Sequence, residues 1–285
     1  MTVALDAVER TALLTAALRA AETRRPDRLY EDPYAAALAG DIGPGLLAEV
    51  RTATFPPGRA RTLPSTPDYN AIRTRFFDDY LQTAAEDPAT TQIVLAPSGM
   101  DSRAHRLDWP SRVRWFEVDR PAVLAYKEER LGAAEPRVDH RKVAVDLTAP
   151  DWESDLEAAG YDPAVPSTWL LEGLLYYIPE ADAHRILQRV AAISAPGSRI
   201  AADIVNSAAL TLPHMRGLLD VFAGWGCPWL FGTDEPEALF DTYGFTVAAP
   251  QPGEEGADFG RWPDPVPPRS ERDVRRVFFV HGRRR

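Results

Sequence analysis

The apolar positions of this sequence change their spacing once, close to residue 91. Before that point they recur every three or four residues, the period of a helix with one buried face. Val8, Leu13, Leu14, Ala17 and Leu18 form the first such stripe. A second short helix is expected after Asp32-Pro33, with the proline in its first turn. Residues 40–67 are rich in Gly and Pro and read as a flexible cover. Helical spacing returns over 68–84, where Ile72, Phe76, Phe77, Tyr80 and Leu81 make a stripe that belongs in a core. Arg73 flanks it, a place where arginine is usually at the surface or in a cap.

From Thr91 onward, short apolar runs alternate with helical patterns. Strands are expected at Ile93–Ala96, Val113–Asp119, His140–Leu147, Pro166–Gly173 and Ser198–Val205, with two more at Phe245–Ala249 and Arg276–Val280. Helices are expected at 120–135, 151–160, 180–195, 210–225 and 234–243. Helical crossovers make the first five strands parallel. The last two are joined only by the proline-rich loop 250–268, which implies one reversed strand. The fold class is therefore α/β: a Rossmann-like, seven-stranded, mostly parallel sheet with one antiparallel edge strand. Residues 1–88 form an N-terminal helical cap, and residues 89–285 form the core, with a lid insertion around 206–232.

Composition narrows the setting. No apolar run approaches the roughly 20 residues of a membrane helix, and Asp6, Glu9 and Arg10 interrupt the first stripe as no signal peptide would. The formal net charge of −10 argues against a nucleic-acid surface. Arg283-Arg284-Arg285 reads as a solvated tail. Cys227 is the only cysteine, so no intrachain disulfide forms and a cytoplasmic location is expected.

The candidate chemistry lies at strand ends. The first strand stops at Ala96-Pro97-Ser98-Gly99-Met100-Asp101, where Gly99 lets the backbone approach a ligand closely. A nicotinamide enzyme would show G-x-G-x-x-G here; with a single glycine the pyrophosphate cradle is missing and a ligand without phosphates fits better. The next three strands end in acids: Asp119, Asp146 and Glu172. In an open parallel sheet these ends line the ligand crevice. S-adenosyl-L-methionine presents what such acids need. Asp119 suits its ribose hydroxyls, Asp146 with the Leu147 backbone suits adenine, and Glu172 or Asp101 would face the cationic end.

The segments ERTALLTAALRAAETRRPDRLYEDPYA, RTRFFDDY, SGMDSRAHRLDWP, FEVDRP, VDL and EGLLYYIP resemble, in order and spacing, the leucine carboxyl methyltransferase superfamily. The bacterial branch of polyketide O-methyltransferases is the more similar. The resemblance implies S-adenosyl-L-methionine as cofactor, transfer of methyl to an oxygen, and donor contacts at Arg73, Gly99, Asp119, Asp146, Leu147 and Glu172, with Ser98 beside them. It departs at Pro97, where the family usually has glycine; proline removes a backbone donor and fixes φ.

A carboxylate acceptor is already an anion, whereas a phenol or alcohol needs a general base. His214, just beyond the fifth strand, is the candidate base, and Tyr177, with Tyr176 beside it, is a candidate for positioning the acceptor. His105, His140, His184 and His281 read as structural or solvent-facing. Phe222, Trp225, Trp229 and Phe231 would suit a flat apolar acceptor, although such runs are most often core. No metal site is expected. The expected function is an O-methyltransferase acting on a carboxylate or phenolic hydroxyl of a polyketide-like small molecule. The alternative is a methyltransferase fold that has lost transfer and serves as a binding or cyclising protein.

Overall fold

The structure is a computed structural model and describes residues 7–54, 66–262 and 265–285. Four helices come first: α1 (Ala7–Thr23), α2 (Ala35–Ala39), α3 (Gly43–Thr54) and α4 (Thr66–Glu86). Helix α3 corrects the reading of residues 40–67 as a flexible cover. Leu46, Leu47 and Val50 are buried against α1, so burial of one face overrides the glycines of its first turn. The rest of that stretch, 55–65, lies outside the described residues. At α2, the Asp32 carboxylate accepts the Tyr34 and Ala35 N–H groups at 3.1 and 3.0 Å, satisfying donors a short helix leaves open.

Strand and helix then alternate: β1 (Gln92–Leu95), α5 (Arg103–Arg106), β2 (Arg114–Asp119), α6 (Pro121–Leu131), β3 (Asp139–Ala144), α7 (Trp152–Ala158), β4 (Thr168–Leu171), α8 (Glu180–Ala192), β5 (Arg199–Val205), α9 (Arg216–Gly224), α10 (Pro236–Asp241), β6 (Phe245–Ala248) and β7 (Val277–Arg284). The seven strands lie in the order β3-β2-β1-β4-β5-β7-β6. The first five are mutually parallel. The reversed strand is β7, inserted at the β6 side of the sheet and antiparallel to both β5 and β6. The helix expected over 210–225 is broken. Two 3₁₀ turns, Ser207–Leu210 and Pro213–Met215, precede α9, because Pro213 cannot donate within a continuing helix.

Side-chain alternation along the strands sorts the core into two faces. Val94, Phe116, Val118, Trp169 and Leu171 pack against α7, α8 and α10. Ile93, Leu95, Trp115, Leu170 and Ala201 face the other way, against α4 and α5. A third apolar cluster joins α1, α2 and α3 to α9 through Leu14, Leu38, Val50, Leu218 and Phe222. Among the described residues, no helix is long and apolar enough to cross a membrane.

Candidate functional site

The ladder register puts the strand ends on one row. Leu95 pairs with Glu117 and Leu170, Asp119 with Ala144, and Leu171 with Ala202. Extending each pair by one or two residues aligns Asp119, Pro97, Glu172 and Asp203, all directed to the α4 side. Above this row is a cavity of about 800 Å³, open to solvent, with Leu95 and Leu170 in its floor. Asp119, Glu172, Arg73, Ser98, Gly99 and Tyr177 line it. So do Thr11, Thr15 and Arg19 of α1, which sequence reasoning had not connected to a site.

Asp119 is buried at the end of β2. One carboxylate oxygen accepts the Gly99 N–H at 2.6 Å and the other the Arg120 N–H at 2.7 Å. Burial pushes its pKa up, against the opposing pull of these two N–H groups. Gly99 has φ of +47°, the left-handed region that favours glycine, so the tight loop that delivers its N–H depends on that residue type. Ser98 is buried, and its Oγ has no hydrogen-bond partner among the described residues. It faces the cavity beside Asp119.

Arg73 corrects the surface reading: it is buried on the inner side of α4. Its guanidinium lies 2.9 Å from Asp203, 3.0 Å from Glu172 and 3.3 Å from the Tyr176 hydroxyl. An apolar stripe gives no hint of a buried arginine, because the partners that make it tolerable lie on distant strands. Glu172 is held from the other side by Arg103, 2.9 Å away, and Arg103 also pairs with Asp101 and Asp78. Arg106 pairs with Asp78 as well. Three guanidiniums (Arg73, Arg103, Arg106) thus meet four carboxylates (Asp78, Asp101, Glu172, Asp203), leaving one net negative charge beside the cavity. Asp203 was missed in the sequence. An aspartate inside the otherwise apolar run Ile200–Val205 was the available signal, since a charge buried there needs partners. It accepts the Gly173 N–H at 2.6 Å and the Tyr69 and Tyr176 hydroxyls at 3.0 and 3.2 Å.

Asp146 and Leu147 lie elsewhere. Strand β3 ends at Ala144, so Asp146 falls in the following turn, exposed, where it accepts the Thr148 N–H and hydroxyl at 2.8 and 2.7 Å. Leu147 is buried in the core on the opposite face of the sheet. Neither lines the cavity. Tyr177 does, packed against Tyr176, Phe222 and Trp229, and burial raises its hydroxyl pKa, so it remains a neutral donor at physiological pH. His214 is exposed in the 3₁₀ turn before α9 and does not line the cavity; Met215 is the buried residue of that turn.

A second opening of about 780 Å³ lies on the same face of β2, one alternation before Asp119. Glu117 is fully buried there, 2.7 Å from the Lys127 ammonium and 3.2 Å from His140 Nε2. Among the described residues, no group of His, Cys, Asp and Glu is arranged to hold a metal ion.

The family model for leucine carboxyl methyltransferase matches residues 12–191. The chain belongs to the leucine carboxyl methyltransferase family. A relative from Parafrankia sp. (strain EAN1pec) is 46% identical over 239 residues, covering 76% of this chain and 72% of its own. One from Mycobacterium sp. (strain JLS) is 41% identical over 212 residues, covering 71% and 68%. Both bear the provisional name of S-adenosyl-L-methionine-dependent methyltransferase. Two solved structures share the fold with a TM-score of 0.59: a DUF574 family protein from Streptomyces avermitilis, 13% identical over 95% of this chain and 97% of its own, and a protein from Thermobifida fusca provisionally named as a methyltransferase, 16% identical over 96% and 94%. This family member is thus an S-adenosyl-L-methionine-dependent methyltransferase by descent, and that molecule is its cofactor. The cavity fits the group. It offers a buried carboxylate, an unpartnered hydroxyl and a net negative wall to a ligand with ribose hydroxyls and a net positive charge.

Proposed function

We propose that this protein methylates an oxygen of a small organic acid, such as a polyketide-like carboxylate. The observation that carries this reading is the convergence of Asp119, Ser98 and the Arg73–Glu172 pair on one cavity at the sheet rim. Asp119 is assigned to the ribose hydroxyls, with Gly99 permitting close approach, and Arg73 with Glu172 to the amino-acid end of the donor. Asp146 and the Leu147 backbone, in the turn after β3, are assigned to adenine. The helices of residues 1–88 and the segment 206–232 are assigned to cover the acceptor.

When bound, S-adenosyl-L-methionine supplies an electrophilic methyl group on a sulfonium. The chain's contribution is to hold the two reactants in line and to exclude water, which can account for several kcal/mol of barrier. A carboxylate acceptor is already an anion, so no residue of the chain would need to remove a proton from it. Tyr177, held neutral by burial, positions the acceptor oxygen by donating a hydrogen bond. A phenolic acceptor would need a base. His214 remains the candidate for that variant, although its exposure favours the carboxylate reading.

The deciding experiment is calorimetric titration with S-adenosyl-L-methionine and S-adenosylhomocysteine. Incubation with methyl-labelled donor and a panel of acids and phenols follows, with products read by mass spectrometry. Micromolar binding and a labelled methyl ester are expected. If neither compound binds, Pro97 in place of the family's glycine becomes the reason, and the fold serves another purpose.

A further inference from the structure

Helix α1 packs directly on the loop that carries Gly99. A Cβ on Gly99 would stand 3.4 Å from the Ala12 Cβ of α1. About two turns further along the helix, Arg19 is buried and lines the cavity. Its guanidinium donates through Nη2 to the Met100 carbonyl and through Nε to Asp32 at 2.9 Å. The same Asp32 oxygen accepts the Ser102 hydroxyl at 2.7 Å, and the other takes the Tyr34 and Ala35 N–H groups at the start of α2.

The glycine loop is therefore gripped from two sides. On the inside, the Val118 carbonyl accepts the Ser98 N–H at 3.0 Å and Asp119 accepts the Gly99 N–H at 2.6 Å. On the outside, Arg19 holds Met100 and Asp32 holds Ser102. Gly99 lies between these points and has no side chain of its own to fix it. Burial would raise the Asp32 pKa, but Arg19, Arg106 and Ser102 outweigh it, so Asp32 stays an anion that keeps the arginine in place. A planar guanidinium can bond a carboxylate and a carbonyl at once, which a lysine ammonium on its flexible stem does less well.

Resting on the donor assignment above, we infer that Arg19 is a positioning residue for methyl transfer: it fixes the Met100 carbonyl, and through it the Gly99 N–H, so that Asp119 presents one arrangement to the ribose. Helix α1 thus belongs to the donor site as well as to the acceptor cover.

The test titrates S-adenosylhomocysteine into Arg19→Lys across a pH series, with Arg261→Gln as control. Arg19→Lys keeps a cation beside Asp32 and gives up the fork to Met100. Affinity should fall about tenfold, the scale of a charge-assisted hydrogen bond. With the Gly99 N–H loosened, the Asp119 pKa should rise further and the pH midpoint of binding should move up; Arg120 and Lys127, the charges acting on Asp119, are untouched. Arg261 ties α1 down through Glu22, 2.8 Å away, without touching the loop. Arg261→Gln should lower the melting temperature and leave both affinity per folded molecule and midpoint unchanged. Unchanged affinity in Arg19→Lys, a loss without a midpoint shift, or an equal loss in Arg261→Gln overturns the inference. Should Arg19→Lys not fold, Ser102→Ala decides: affinity should fall about threefold, the scale of a neutral hydrogen bond, with the same upward shift, and no change refutes the clamp. Failure of S-adenosylhomocysteine to bind the wild type would instead sink the donor reading on which it rests.

Discussion

Glu117 and Asp119 stand two residues apart on one face of β2, both buried, and they are kept charged by opposite means. Glu117 has its counter-ions built in: burial alone would raise its pKa, but Lys127 and His140 outweigh that and hold it below the usual glutamate range. Among the described residues the Asp119 carboxylate accepts hydrogen bonds only from backbone N–H groups, and burial outweighs these and the nearby charges of Arg120 and Lys127, so its pKa is raised. A carboxylate with an internal partner has its charge spent on the fold. One that meets only N–H donors still has capacity to accept from a ligand. On a single strand, the two show how a buried acid that serves structure differs from one that serves binding.

Breaking each in turn should separate stability from affinity. Glu117→Ala leaves the Lys127 ammonium buried and unpaired, and the expected loss is about 3–5 kcal/mol in urea unfolding. Affinity for S-adenosylhomocysteine per folded molecule should change little. Asp119→Ala should do the reverse, weakening S-adenosylhomocysteine binding by about 1.5–3 kcal/mol for each charge-assisted bond lost, with a much smaller shift in the unfolding midpoint. An unchanged dissociation constant in that variant would remove Asp119 from the ribose.

pH sharpens the contrast, because the two signs are opposite. Glu117 has a depressed folded pKa, so its stability is complete above the unfolded value near 4.5 and is lost as pH falls through the folded one. Asp119 has a folded pKa above its ordinary 3.8, so ionising it costs the free protein stability as pH rises. Donor binding requires the ionised form. S-adenosylhomocysteine affinity should therefore climb as pH rises through the raised Asp119 pKa, above the ordinary 3.8, and then level off, and Asp119→Asn should give a weak, flat profile. The smallest effect is expected at His214, which stands outside the comparison. His214→Ala should keep turnover of a carboxylate acceptor within about twofold, whereas a loss of about a hundredfold, the scale of a general base, would show that a proton must be removed.

The strands were legible because short apolar runs bounded by Gly, Pro and acids leave few alternatives, and the crossover rule then fixes their direction. Helix α3 was not, because Gly43, Pro44 and Gly45 mask a buried face that only α1 and α9 reveal. At the site, Asp119 and Glu172 stood out as acids closing apolar runs. Asp203 and Arg73 did not. A buried ion pair joining residues 130 positions apart leaves no local pattern in a sequence. Asp146 satisfied the same strand-end rule as Asp119, yet β3 stops two residues earlier, so Asp146 stands in the turn beyond the strand, with one carboxylate oxygen accepting from Thr148.

The placement of β7 between β5 and β6 governs how the molecule can be assembled. β6 is synthesised before β7 but has no other neighbour to pair with, so during translation it and the open side of β5 wait as bare edges, the geometry most prone to sticking to foreign strands. Closure comes only when Val277–Arg284 slots between them, carrying Phe278 and Phe279 into the core on opposite faces. A chain clipped anywhere in the 28 residues from Ala249 to Arg276 would lose the covalent tether holding these last two strands together, leaving the outer edge to depend on the short β6–β7 ladder and side-chain packing.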